Sequence, residues 1–242
     1  IQDVIIHGHR PVVGEEGQVQ FDKDKGYSFC NCRDIFFTDW KNINQGVYDP
    51  NYHKKYVNPT SKYLLSNYIV NYGQLIKDSL NHKTFGKAIE IGCVAPDVLD
   101  GLSRMGMKTY ALDIVDHSFG KHQSIVENFE DYPLAKGAYS LIWASHIFEH
   151  FKDPIKAIKH CFDSLHPGGL LFVAMPDPYF IDWKVPHLWG HWHLDEHHIM
   201  WDMDSFAEAL EEKGFEIIMK KHNVGYDHIC IGDMHLLARK KI

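Results

Sequence analysis

The chain has 242 residues, 45% hydrophobic and 24% charged, with a net charge of −7. That is the composition of a soluble globular protein, long enough for one large domain or a domain with an appendage. Net acidity repels a phosphate backbone, so no nucleic-acid partner is favoured; the basic runs HKK at His53 and KKH at Lys220 are short. Five cysteines, an odd and scattered set, argue against a disulfide framework and for a reducing, cytoplasmic compartment. No apolar run reaches the roughly 18 residues that cross a membrane. The start, IQDVIIHGHR, lacks both a signal-peptide layout and a Met, as in a trimmed or excerpted chain.

Residues 1–58 are punctuated by Gly, Asp, Asn and Pro and rich in aromatics, as in YSFCNCRDIFFTDW and VYDPNYHKKY. They read as an extension of short strands and turns. From Pro59 to Leu80 apolar residues recur at helical spacing, which predicts one amphipathic helix opening a domain over residues 59–242. An alternation follows. KAIEIG predicts a buried strand, APDVLDGLSRMG a helix closed by glycine, KTYALDI a second strand and HQSIVEN a weak third. YSLIWAS predicts a fourth strand and PIKAIKHCFDSLH a helix with Pro154 in its first turn. PGG then turns the chain into a fifth strand, LLFVAMP. DSFAEALEEKG predicts a last helix, and FEIIMKKH and DMHLLARKK two last strands. This order implies an α/β fold with a mostly parallel sheet covered on both faces. Such sheets bind ligands beyond the carboxyl ends of their strands, which directs attention to the residues from Gly92, Asp113, Asn128, Ala144 and Pro176 onward.

YSLIWASHIFEHFKDPIKAIKHCFDSLHPGGLLFVAMPD resembles the fourth-strand to fifth-strand segment of class I S-adenosylmethionine-dependent methyltransferases. The pattern of small residues, EH, DP, helix, PGG and strand falls on Ser145, Glu149 and His150, Asp153 and Pro154, and Pro167 to Gly169. DEHHIMWDMDSFAEALEEKGFEI resembles the following segment, and with EIG and ALDI in register the likeness covers about Lys87 to Lys240. The resemblance implies a Rossmann-like, doubly wound, seven-stranded sheet with an antiparallel last strand. It implies S-adenosylmethionine as cofactor, held by the backbone around Ile91, Gly92 and Cys93, by Asp113 and Ile114, by Asn128 and Phe129, and by Ala144 and Ser145. Asp113, ending the second strand, is suited to accept hydrogen bonds from two ribose hydroxyls; its competing role is to cap a turn. Asn128 would read the adenine edge and Phe129 would pack on the ring, against the alternative of an ordinary loop.

Three positions depart from the family. Ser140 stands where an Asp is usual, and Val94 and Pro96 stand where glycines are usual. A positive φ at β-branched Val94 would be an outlier, so the first loop must use ordinary dihedrals or be reshaped. Pro96 suits a helix start, and Asp97 beside it suits the helix N-terminus but opposes a pyrophosphate. The loop therefore speaks against a nicotinamide dinucleotide more than against S-adenosylmethionine, which carries no phosphate. Cys93 reads as a small packing residue.

The eighteen histidines invite metal or acid–base readings. His146, Glu149 and His150, followed by His197, resemble the ExxEH…H pattern of metal-dependent members such as small-RNA 2′-O-methyltransferases, with His146 in place of the first Glu. His150, His197 and His146 are the candidate acceptor-side residues, with proton transfer, orientation of the acceptor and structural bracing all open; no metal is assigned. In YFIDWKVPHLWGHWHLDEHH, residues Tyr179, Phe180, Trp183, Trp189 and Trp192 wall an apolar acceptor pocket or pack the loop on the domain or an oligomer partner. The CNC pair at Cys30 and Cys32 is too small a set for tetrahedral zinc, and the tyrosine-rich segment after it reads as an N-terminal lid. The reading is a methyltransferase acting on a small-molecule acceptor at O or N. Its rivals are a module that binds without catalysing and an RNA or protein methyltransferase.

Overall fold

The computed structural model describes residues 9–11, 18–20, 27–30, 35–38, 59–80, 86–116, 120–181, 189–191, 196–224 and 232–242, with side chains from Ile69 onward. In chain order the elements are β1 (His9–Pro11), β2 (Gln18–Gln20), β3 (Tyr27–Cys30), β4 (Ile35–Thr38), α1 (Pro59–Ser79), β5 (Lys87–Ile91), α2 (Asp97–Arg104), β6 (Lys108–Asp113) and β7 (Gln123–Val126). Then come β8 (Tyr139–Ser145), α3 (Pro154–Ser164), β9 (Leu165–Pro176), β10 (Ile199–Met200), α4 (Met203–Lys213), β11 (Phe215–Val224) and β12 (Gly232–Lys240).

The main sheet has seven strands in the order β11-β12-β9-β8-β5-β6-β7. The five strands from β9 to β7 are parallel, β12 runs antiparallel to β9, and β11 antiparallel to β12, so β12 alone is reversed. This is the doubly wound sheet expected, down to its weak third strand, which is the edge strand β7. Alternation along the central strands sorts side chains between two cores. Leu141 and Trp143 of β8 and Leu170 and Phe172 of β9 join Tyr72 and Ile76 of α1 and Val98 and Leu102 of α2 on one face. Ile142, Leu171 and Val173 join Ile158 of α3 and Phe206 and Leu210 of α4 on the other. The Trp143 and Phe172 rings stack with centroids 3.9 Å apart. Cutting either ring to Ala in so dense a core would cost about 3–5 kcal/mol.

The helix ends follow their sequence signals. Asp153 caps α3 by accepting from the Lys156 N–H, with Pro154 in the first turn; Asp202 caps α4, and Gly214 ends it in the left-handed conformation. PGG does not turn the chain into β9. It lies inside β9 as a bulge: Tyr139 pairs with Leu165 and Leu141 with Leu170, so the residues between Leu165 and Leu170 face only Ser140. His166 Nε2 reaches Ser140 Oγ at 3.1 Å beneath this bulge, which gives the departing serine a structural place.

Two small sheets lie outside the main one. Strands β1 and β2 pair antiparallel, and a three-stranded sheet has the order β10-β4-β3. Strand β10 thus pairs Ile199 with Phe37 and Met200 with Phe36, joining the extension to the segment before α4. Cys32, the segment VYDPNYHKKY, Trp183 and Trp192 lie outside the described residues. Among the described residues no helix is long and apolar enough to cross a membrane.

Candidate active site

Gly92 ends β5 with φ +70, and a Cβ there would lie 2.9 Å from Ile147 Cδ1. Both facts require glycine: the backbone conformation and the close approach of the loop after β8. The Gly92 N–H donates to the Leu112 carbonyl at 2.8 Å, which holds the turn to β6. Val94 needs no unusual dihedral, because among the described non-glycine residues only His146 has positive φ. Pro96 caps α2 with helical dihedrals, and its carbonyl accepts from the Asp100 N–H at 2.7 Å. Cys93 is fully buried, and burial and the neighbouring Glu90 push its thiol far up, so it packs and does not react. Burial also pushes the Glu90 carboxyl up to about 8, with Asp97 and Asp113 adding to the rise and a Cys93 hydrogen bond opposing it.

Asp113 ends β6 with its Oδ1 accepting from the Val115 N–H at 2.9 Å. The turn-capping role considered for it is therefore real, for one oxygen. Ile114 and Val126, at the carboxyl ends of β6 and β7, are 47% and 46% exposed, an aliphatic ledge beside Asp113. Asn128 is exposed, and its Oδ1 accepts from the Glu130 N–H at 3.0 Å. Phe129 does not stand beside it: its ring is buried against Phe151 and His160 in the core. One aromatic in a weakly patterned loop gave no sign of which face it would take. Ile91 and Ala144 are buried and can offer only backbone at the strand ends. Ser145 ends β8 with its Oγ buried and, among the described residues, without a hydrogen-bond partner.

The chain after Ser145 carries the histidines. His146 sits at φ +50, a conformation that costs a non-glycine residue about 1–3 kcal/mol. Its Nδ1 lies 3.5 Å from Glu149 Oε1 and its Nε2 3.5 Å from Asp233 Oδ2. Burial opposes its charged form, but the two carboxylates outweigh burial and hold the imidazole well above its usual pKa. Glu149 is 1% exposed. Burial raises its carboxyl, yet His146 and His150 bring it below the ordinary value. His150 Nε2 is 3.9 Å from Glu149 Oε1, and His150 Nδ1 pairs with the Glu196 carbonyl at 3.0 Å. The His198 N–H donates to the Glu149 carbonyl at 2.7 Å, which seats the segment carrying His197. The His150 and His197 rings meet edge to face at 4.9 Å. All three candidate histidines thus converge, and the donor atoms of Glu149, His150 and His197 lie within 4.8 Å of one another.

Asp233 and His191 complete this region and carried no sequence signal. His191 Nε2 lies 3.2 Å from Asp233 Oδ1, and its ring stacks on His146 at 5.5 Å. Burial opposes ionisation of Asp233, and the His146 and His191 charges more than reverse it, holding the carboxyl far below the usual range. Beside it, Asp177 Oδ2 pairs with His222 Nδ1 at 2.5 Å, and Tyr179, 71% exposed, stacks on His222 at 4.3 Å. Trp189 is buried edge-on to His191 and Phe180 packs on Gly232, so these two described aromatics of the long loop pack against the domain. Other histidines are structural, as expected of most: His122 bridges Thr109 and Asp100, and His235 pairs with Tyr72.

The strand order, the glycine turn after β5 and the acid ending β6 define an α/β domain built for a nucleoside cofactor. The chain belongs to the methyltransferase domain family, which it matches over residues 66–220, and is an S-adenosylmethionine-dependent methyltransferase. No curated protein matches it in sequence. Its fold is similar to that of a SAM-dependent methyltransferase from Archaeoglobus fulgidus, at 14% identity over 74% of this chain and 94% of that one, with a TM-score of 0.58. An S-adenosylmethionine-dependent methyltransferase from Mesorhizobium loti is 13% identical over 68% of this chain and 97% of that one, with a TM-score of 0.53. The cyclase SpnF is 14% identical over 70% and 79%, with a TM-score of 0.54, so the same fold also carries a cyclase.

Proposed function

We propose that the chain transfers a methyl group to a small-molecule acceptor at oxygen or nitrogen, with the acceptor held against the histidines that follow β8. The observation that carries this is the convergence of His146, Glu149 and His150, in the loop that leaves β8 after Ser145, with His197 from the segment before β10, at the carboxyl end of a central strand. Residues present suit the cofactor: the Gly92 turn, at positive φ, brings part-exposed backbone to the carboxyl end of β5, and Ser145 Oγ is a buried hydroxyl lacking a partner among the described residues. Asp113 would take the ribose, Ile114 would lie along the adenine, Asn128 would meet its edge, and backbone from Ile91 to Cys93 and at Ala144 would face the amino-acid end.

Bound S-adenosylmethionine supplies an electrophilic methyl on a sulfonium. The chain's own task is to align the acceptor atom, exclude water and take up the proton that a hydroxyl or amine releases. His146, kept charged by two carboxylates, is no proton acceptor near neutrality. That role falls to His150 or His197, with the Glu149 carboxylate, within 4.8 Å of both, stabilising the charge gained. We assign residues 59–242 to the catalytic domain and 1–58 to a lid, supported by the pairing of β4 with β10 just after His197 and His198.

Calorimetric titration with S-adenosylmethionine and S-adenosylhomocysteine tests the reading, followed by turnover against small hydroxyl and amine acceptors. Binding of both, with turnover cut in His150→Ala and His197→Ala, is expected. Binding of neither ligand refutes the cofactor site, and turnover only on RNA or protein refutes the acceptor class.

A further inference from the structure

We propose that His146, His191 and Asp233 form a binding site for a divalent first-row transition-metal cation, beside the carboxylate of Glu149. The three come from separate parts of the chain: the end of β8, the long loop, and the start of β12. They meet because β12 alone runs antiparallel and so begins where β8 and β9 end. Their donor atoms all lie within 4.8 Å of one another. Asp233 reaches His146 Nε2 at 3.5 Å and His191 Nε2 at 3.2 Å, one oxygen to each. Donors sharing a cation through bonds of about 2.0–2.2 Å stand about 3–3.5 Å apart, a spacing the two Asp233 contacts already have, and the remaining separations, within 4.8 Å, close by side-chain shifts of about an ångström.

Two further observations point to a cation. His191 Nε2 is buried and, among the described residues, meets no partner in hydrogen-bonding geometry, although Asp233 Oδ1 lies 3.2 Å away. Glu149, 1% exposed, has both oxygens buried and, among the described residues, neither in hydrogen-bonding geometry, and one of them lies 3.5 Å from the other nitrogen of His146. In this position Glu149 would orient the His146 ring, as carboxylates behind metal-bound histidines do. A bound cation would displace the proton that His146 carries in the metal-free protein and take over its role of balancing the two carboxylates. Two imidazoles and a carboxylate, without a thiolate, suit Zn²⁺, Co²⁺, Fe²⁺ or Mn²⁺, and three protein ligands leave positions open for water or an oxygen of a bound molecule. This set takes only His146 from the four residues that the sequence resemblance brings together, and adds His191 and Asp233. It stands apart from the methyl-transfer reading, because binding of the ion requires no turnover.

Metal-stripped protein titrated with Co²⁺, followed by calorimetry and by its visible absorption, with Zn²⁺ in competition, tests the proposal. One equivalent bound with visible bands is expected. His191→Gln and Asp233→Asn should each weaken it at least about tenfold, since loss even of a group behind a ligand costs about 10–100-fold. His150→Ala and His197→Ala should bind as the parent does. Absence of saturable binding, or binding lost in the His150 and His197 variants but kept in the other two, overturns the proposal. Thermal unfolding of each variant without metal separates a lost site from a lost fold, and His191→Gln, in a loop, carries the test if Asp233→Asn does not fold.

Discussion

Glu90 is the last acid before the Gly92 turn, 4% exposed, and its carboxyl is pushed up to about 8 from an ordinary 4.5. Between these two values the folded protein holds a proton that the unfolded chain has given up, so stability falls as pH rises through that window. Between pH 5 and pH 8 the single group removes about 3 kcal/mol from the folded state. Glu90→Gln keeps the shape and abolishes the titration. Urea denaturation of both proteins at pH 5, 6.5 and 8 should therefore show the variant gaining on the parent by about 3 kcal/mol across the range. Parallel stability profiles would refute the reasoning and show that Glu90 ionises in the folded state at little cost.

Asp113→Ala should weaken S-adenosylmethionine binding by about 1.5–3 kcal/mol in calorimetry if Asp113 holds the ribose through charge-assisted hydrogen bonds; unchanged affinity removes it from the site. His235, fully enclosed beside Tyr72, is pushed down by burial to about 4 from an ordinary 6.5. The unfolded state binds more protons in that interval, so stability is lost as pH falls through it. His235→Gln should lessen the loss between pH 7.5 and 5 by about 2 kcal/mol, read as a smaller drop in unfolding midpoint.

What could be read ahead from the residues was whatever has a local cause. Leu141 and Trp143 alternate with Ile142 because a strand covered on both faces has no polar side, and Asp153 with Pro154 announces a helix start by chemistry confined to one turn. The same residues can serve two local structures, which is why PGG read as a turn and proved a bulge: Gly168, at φ +81, suits either. That Phe129 turns its ring toward Phe151 could not be read ahead, because one aromatic in an irregular loop has no periodicity to fix its face. The site divides the same way. His146, Glu149 and His150 share one loop and are visible as a pattern, whereas Asp233 acquires its neighbours only because β12 returns antiparallel beside β9. His191 stood among several histidines in one loop, none distinguished by spacing.

The pairing of β10 with β4 bears on how the protein can be produced and cut. Ile199 and Met200 follow directly on the Glu196–His198 segment that is bonded to His150 and Glu149, and their strand partners are Phe37 and Phe36. An expression boundary placed at Pro59, where the first long helix would invite one, strips a backbone ladder from the two-residue strand β10 and unfastens the histidines next to it. A useful minimal fragment begins before Tyr27, so that both strands behind Ile199 and Met200 stay attached.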